Sequence, residues 1–143
     1  MLAIGFIIVY DDPMARQLNN LSQEEILQNR EYFQRLYDGL KISVEHNGCH
    51  LWHAATSHGY PRCPMARSNG SSSQIGGHQL SYFLFRGEHI LKGYHISHLC
   101  HVSLCVNPEH LSQEPPSINM KRNTCKKLTN CCGHPGYRDC IFN

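Results

Sequence analysis

Cys100, Cys105 and His110 stand with four residues between each neighbouring pair, and this run of soft ligands constrains the fold more than any other feature. Structural zinc takes four thiolate or imidazole ligands in a closed tetrahedron. Cys49 lies upstream and supplies the fourth ligand of a Cys3His set. Downstream, Cys125, Cys132, His134 and Cys140 make a second set. Eight Cys and eleven His in 143 residues are enough for both. Cys63 and Cys131 are left over; Cys131 adjoins Cys132 and could replace it as ligand, whereas Cys63 reads as a plain thiol. The core needs this support: with 41% hydrophobic and only 9% aromatic residues, a chain of this length buries a modest apolar interior. Four disulfides are the competing use of eight cysteines, and spacing alone does not exclude them.

The length fits one domain over residues 1–143. Within it we distinguish an N-terminal strand and helix region (1–47), a turn-rich middle (48–92) and a C-terminal part (93–143) holding most of the ligands. The run Leu2 to Tyr10 is apolar, but no Lys or Arg precedes it and Asp11-Asp12-Pro13 follows, so it reads as a buried strand or docking segment rather than a signal sequence. That reading places the protein inside the cell, where thiolate metal sites are favoured over disulfides.

Leu21 to Leu40 reads as a helix, with Ser22 and Glu25 as a capping box, Ile26, Phe33, Leu36, Tyr37 and Leu40 as its apolar stripe, and Gly39 at its end. Ile42 to Val44 suggests a strand before a turn at Asn47-Gly48. From Cys49 to Gly77 the breaks at Gly59, Pro61, Pro64 and Asn69-Gly70 suggest short antiparallel strands, with Ser71 to Ser73 as a mobile loop. Gln79 to Arg86 is expected to be a short helix stopped by Gly87, Tyr94 to Leu99 extended, Asn107 a turn residue, and a last helix to open at Pro116-Ser117 and carry Ile118 to Asn123. The fold class expected is α+β: a small zinc-stabilised mixed fold with short antiparallel strands.

The stretches Ser97-His98-Leu99-Cys100-His101, Cys105-Val106-Asn107-Pro108-Glu109-His110-Leu111 and Asn119 to Cys125 resemble the His-Cys box homing endonucleases, within the wider group built on a ββα-metal nuclease core (the His-Me finger nucleases). The likeness is greatest to the slime-mould intron-encoded type of that family. Gly48-Cys49-His50-Leu51-Trp52 with Gly59-Tyr60 is similar to the zinc-loop segment that precedes such cores. The resemblance covers roughly the last two-thirds of the chain and implies roles residue by residue. His98 matches the general base that activates water. Asn119 matches the ligand of a catalytic divalent cation, Mg2+ or a substitute. Cys49, Cys100, Cys105 and His110 match one structural zinc site; Cys125, Cys132, His134 and Cys140 match the other. An arginine that stabilises the transition state is expected at Arg67, with Arg62 as the alternative. His95 and His101, which flank His98, are read as ordinary surface or strand residues.

Elementary chemistry agrees with these roles. A neutral imidazole accepts a proton from water, and an amide carbonyl suits a hard cation that prefers oxygen ligands. The resemblance implies double-stranded DNA as substrate, a homodimer matched to a near-palindromic site, and nuclear location in a eukaryotic host. The swapped C-terminal tail of that family is not matched here, which leaves Leu2 to Tyr10 and the first helix to supply the dimer interface. The net charge of +2 does not by itself establish DNA binding. Arg62, Arg67, Ser68, Asn69, Ser73 and Gln74 are candidate base readers, and Lys121, Arg122, Lys126 and Lys127 candidate phosphate contacts. Two other functions fit the same residues: a zinc-built nucleic-acid-binding module without catalysis, and a secreted disulfide-rich protein.

Overall fold

The computed structural model describes residues 23–43, 47–88, 90–91 and 93–142. The run Leu2 to Tyr10, Leu21, the cap residue Ser22 and the side chains of Ile26 and Ser73 lie outside them. The architecture is α+β. Helix α1 (Gln23–Asp38) leads through β1 (Lys41–Ser43) and β2 (Cys49–Leu51), an antiparallel pair, into a three-stranded antiparallel sheet. That sheet has the order β3 (Thr56–Ser57), β4 (Tyr60–Ala66), β5 (Ser72–Gly76). A short helix α2 (Gly77–Ser81) widens into a π turn over Tyr82–Arg86. The C-terminal part is a ββα unit: β6 (His95–His98), β7 (Leu111–Glu114) and helix α3 (Pro116–Leu128).

Local rules account for most of these boundaries. Gly87, at φ 70°, adopts the left-handed conformation that ends the π turn. Gly77 opens α2 against Pro61; a Cβ there would lie 2.7 Å from the Pro61 Cβ, so a bare backbone is what allows the approach. Pro116 stands at the first turn of α3, where its missing N–H costs nothing. The helix runs past Asn123 to Leu128 because Thr129 and Asn130 donate their N–H groups to the carbonyls of Lys126 and Cys125. Ser72 and Ser73 are not part of a loop, as their composition suggested, but start β5, paired with Ala66 and Met65. Ladder pairing to an alternating partner overrides the turn preference of serine.

The core gathers Phe33 from α1, Trp52, Met65 and Ile75 from the middle region, Leu80 and Phe83 from α2 and its turn, and Ile96, Val106 and Leu111 from the ββα unit. Phe33 stacks on Trp52 with ring centroids 5.9 Å apart. Along β4 the pattern alternates, with Pro61, Cys63 and Met65 inward and Tyr60, Arg62 and Pro64 outward. Helix α1 is locked to the β4–β5 hairpin by polar contacts. Asn29 exchanges two hydrogen bonds with the backbone of Ala66 (2.9 and 3.0 Å). The buried Glu25 carboxylate accepts from the N–H and hydroxyl of Ser68 (2.7 and 3.0 Å).

Candidate metal centres and catalytic cleft

The long loop between β6 and β7 carries Cys100, Cys105 and His110, and β2 brings Cys49 to it. Backbone bonds fasten the two segments: Val106 N–H to the His50 carbonyl and Trp52 N–H to the Leu104 carbonyl, each 2.8 Å. Asn107 turns the loop, accepting from Glu109 N–H and donating to the Gly48 carbonyl, each at 3.0 Å. The result is a cluster of Cys49, Cys100, Cys105 and His110 whose ligand atoms lie within 4.8 Å of one another. The Cys49 and Cys105 sulfurs are each 3.5 Å from His110 Nδ1. Zinc bonds of ~2.3 Å to sulfur and ~2.0–2.1 Å to nitrogen, at the tetrahedral angle, require a sulfur–nitrogen edge of ~3.5–3.6 Å. The donor set and its spacing therefore fit zinc. Burial pushes the Cys49 thiol up to about 12, so a divalent cation is what lets these buried sulfurs ionise at neutral pH.

The second cluster joins Cys125, near the end of α3, to Cys131, His134 and Cys140 of the C-terminal segment. The Cys125 and Cys140 sulfurs stand 3.6 and 3.8 Å from His134 Nε2. Of the two adjacent thiols the sequence offers, Cys131 is the one whose sulfur lies within 4.8 Å of the other three ligand atoms; the Cys132 sulfur stands 3.6 Å from Cys125 Sγ. Cys131 Sγ accepts N–H bonds from Gly133 (3.4 Å) and Cys140 (3.2 Å), the donors a thiolate needs. Cys132 instead gives its backbone N–H to Cys125 Sγ (3.4 Å), while its own thiol is exposed beside the Gly133 carbonyl. Burial alone would raise the Cys125 thiol, but the Cys132 N–H and the neighbouring thiols outweigh it and hold it below its ordinary value. All eight cysteines are free; six are gathered in the two clusters and none is paired in a disulfide.

Between the two clusters lies a shallow cleft of about 90 Å³, whose lining includes Tyr60, His98, His101, Asn119, Arg122 and Lys126. His98 ends β6. Its Nε2 is 3.0 Å from the Cys105 carbonyl oxygen. A carbonyl only accepts, so Nε2 carries the proton and Nδ1 keeps its lone pair. Burial pushes the imidazole down to about 4, against the opposing effect of the Cys105 bond, so the ring is neutral at neutral pH. Asn119 closes the first turn of α3, where its Oδ1 accepts from Ser97 Oγ (2.7 Å) and its Nδ2 meets His95 Nδ1 (3.0 Å).

Arg67 is not brought to this cleft. It follows β4 at the hairpin turn, with its Nε 3.7 Å from Glu25. It stands seven residue steps from Tyr60 along extended chain, roughly 23 Å at ~3.3 Å per step. Arg62 stands two residues from Tyr60 on the same face of β4, and the Tyr60 ring lies 6.0 Å from His98. Strand parity thus favours Arg62 over Arg67 for a role beside His98. A residue missed from sequence also enters here: the His78 ring is 5.0 Å from His98 and 5.6 Å from Tyr60. Only the Gly77-led helix start, which sequence composition did not reveal, turns it inward. Among the candidate base readers, Ser68 is engaged by Glu25 and Asn69 by Ser71, whereas Gln74 remains exposed on β5.

Behind the cleft, Arg122 and Glu114 are fully buried and form an ion pair. Arg122 Nε donates to both Glu114 oxygens (2.9 and 3.0 Å) and Nη2 to Glu114 Oε2. Its Nη2 also donates to the Arg138 carbonyl (2.7 Å), and its Nη1 to Cys140 Sγ (3.3 Å). Arg122 is therefore a structural strut between β7, α3 and the second cluster rather than a solvent-facing phosphate contact. Burial would raise the Glu114 carboxyl, but the hydrogen bonds and charge of the Arg122 guanidinium outweigh it and hold it below its usual range.

Among the described residues no helix is long and apolar enough to cross a membrane. No curated protein matches the chain. A family model for the zinc-binding loop region of homing endonuclease matches residues 48–142, about two-thirds of the length. That span includes both Cys/His clusters and the whole ββα unit, and the chain belongs to this zinc-binding homing endonuclease family.

Proposed function

We propose that the protein is a site-specific, metal-dependent DNA endonuclease, and that the whole chain works as one endonuclease domain of the slime-mould intron-encoded type. The observation that carries this reading is the placement of a neutral His98, its Nε2 tied to a backbone carbonyl, in one cleft with Asn119. With Nε2 occupied, Nδ1 is the atom that takes a proton from the attacking water. Asn119 Oδ1 has two lone pairs; Ser97 uses one, and the other suits a hard cation. Asn119 would hold Mg2+ there, and the ion would supply Lewis-acid polarisation of the phosphate and charge neutralisation at the leaving oxygen. Arg62, on the Tyr60 face of β4, fits the transition-state arginine better than Arg67. The rings of Tyr60 and His78 stand beside the base. The two zinc clusters act structurally, since each has four ligands and no open position.

The outer face of β4 and β5, with Arg62 and Gln74, is a two-stranded ribbon of the width that enters a major groove. The described residues form one such cleft with a His98–Asn119 pair and a double-strand break needs two cuts, so the active form is a homodimer on a near-palindromic site. In a eukaryotic host it acts in the nucleus. Zinc-loaded protein incubated with plasmid libraries and Mg2+, followed by end mapping, tests the activity. Cuts at a recurrent site are expected. Tight DNA binding with no cleavage at any Mg2+ concentration would establish the binding-module reading in its place. Light scattering that shows a monomer, both free and on DNA, would remove the dimer.

A further inference from the structure

The side chain of Asn119 is held from both ends by one strand. Ser97 and His95 alternate along β6, so both point to the face that α3 covers, and each meets one end of the carboxamide. The two contacts differ in what they can discriminate. A hydroxyl both donates and accepts, so Ser97 satisfies either the oxygen or the nitrogen of the amide. A ring nitrogen that presents its lone pair accepts only from the –NH2 end. In the tautomer with the proton on Nε2, His95 Nδ1 accepts from Asn119 Nδ2 at 3.0 Å, and that contact decides which end of the amide faces which way. It directs Oδ1 toward Ser97 and leaves the second Oδ1 lone pair for a cation. Without it, the amide can turn over and offer a cation two N–H donors.

We infer that His95 is a positioning residue: it fixes the orientation of the Asn119 carboxamide and thereby sets the affinity of the catalytic cation site. This rests on the reading of Asn119 as cation ligand. It assigns a task to a histidine whose neighbours in sequence mark it only as a strand residue. Partners of this kind, one bond removed from the metal, change metal affinity by roughly 10–100-fold when removed.

The test uses Mn2+ alone as probe, titrated into the zinc-loaded full chain and followed by electron paramagnetic resonance. Wild type, His95→Ala, His95→Asn and Asn119→Ala are compared, each with a thermal melt. Asparagine places an acceptor oxygen close to where Nδ1 stands. The expected result is weaker Mn2+ binding in His95→Ala by roughly 10–100-fold, recovery in His95→Asn, and loss in Asn119→Ala, with little change in melting temperature. Wild-type affinity in His95→Ala, beside a loss in Asn119→Ala, overturns the inference and leaves the Asn119 reading intact. Failure of His95→Asn to restore binding also overturns it, since a packing role would then suffice. If Asn119→Ala binds Mn2+ as wild type does, the cation-ligand reading falls and the inference falls with it.

Discussion

Replacing Arg122 by Met removes the guanidinium that pairs with a carboxylate having no access to solvent. Glu114 is 0% exposed and Arg122 2%. In the variant, Glu114 must keep an uncompensated charge or take up a proton, and the Arg138 carbonyl and Cys140 sulfur also lose their donor. Breaking a buried pair from one side costs about 3–5 kcal/mol, a large part of the ~5–15 kcal/mol that holds a domain folded. At ~2–4 °C per kcal/mol for chains of similar size, the melting temperature falls by roughly 6–20 °C. The single tryptophan, Trp52, is buried against Phe33 and reports unfolding directly. Urea titrations followed by its emission, at fixed excess zinc, give the free energy. The folded Glu114 carboxyl is depressed, so the pair's contribution is present above the ordinary carboxylate range and lost as pH falls through the depressed value. The deficit of the variant is therefore full at pH ~7 and narrows on acidification, as the stranded carboxyl is neutralised. Glu114→Leu combined with Arg122→Met removes both charges and should recover most of the loss, because apolar replacement of a whole buried pair is near neutral. A single variant that loses less than about 1 kcal/mol, or a double variant as unstable as the single one, would refute this account of the strut.

Metal analysis should find two zinc ions per chain, one in wild-type excess over Cys131→Ser, while Cys132→Ser keeps both; the reverse pattern would return Cys132 to the ligand set. His98→Ala should fold and bind DNA normally yet cleave roughly 10²–10⁴-fold more slowly, in a time course run beside a melt; an unchanged rate in the folded variant removes His98 as base. Arg62→Ala should slow cleavage without loss of stability. Arg67→Ala should instead lower stability through the Glu25 contact and leave the specific rate in place; comparison of melts with rates separates them. Stripping zinc with a strong chelator should shift Trp52 emission to that of the unfolded chain, since closed zinc sites contribute folding energy directly.

Features that depend on neighbouring residues were legible in the chain. The apolar spacing of Phe33, Leu36 and Tyr37 marks α1, Pro116 marks the start of α3, and Gly87 ends the π turn, because each acts through the backbone of its own turn. The five-residue steps of Cys100, Cys105 and His110 belong to one loop, so their common purpose is visible in the spacing. Other features were set only when distant segments met. Cys49 joins His110 across 61 positions, and only the bonds of β2 to the zinc loop make that pairing specific. Cys131 rather than Cys132 has its sulfur among the other ligands because backbone N–H groups converge on one sulfur and not on its neighbour. Arg62 lies nearer to Tyr60 and on its face of β4, whereas Arg67 lies past the strand's far end, and only the strand's parity and length set that difference. His95 and His78 carry no local mark at all. Their surroundings are built by α3 packing on β6 and by α2 packing on β4, and a side chain's chemistry is set by what surrounds it in space.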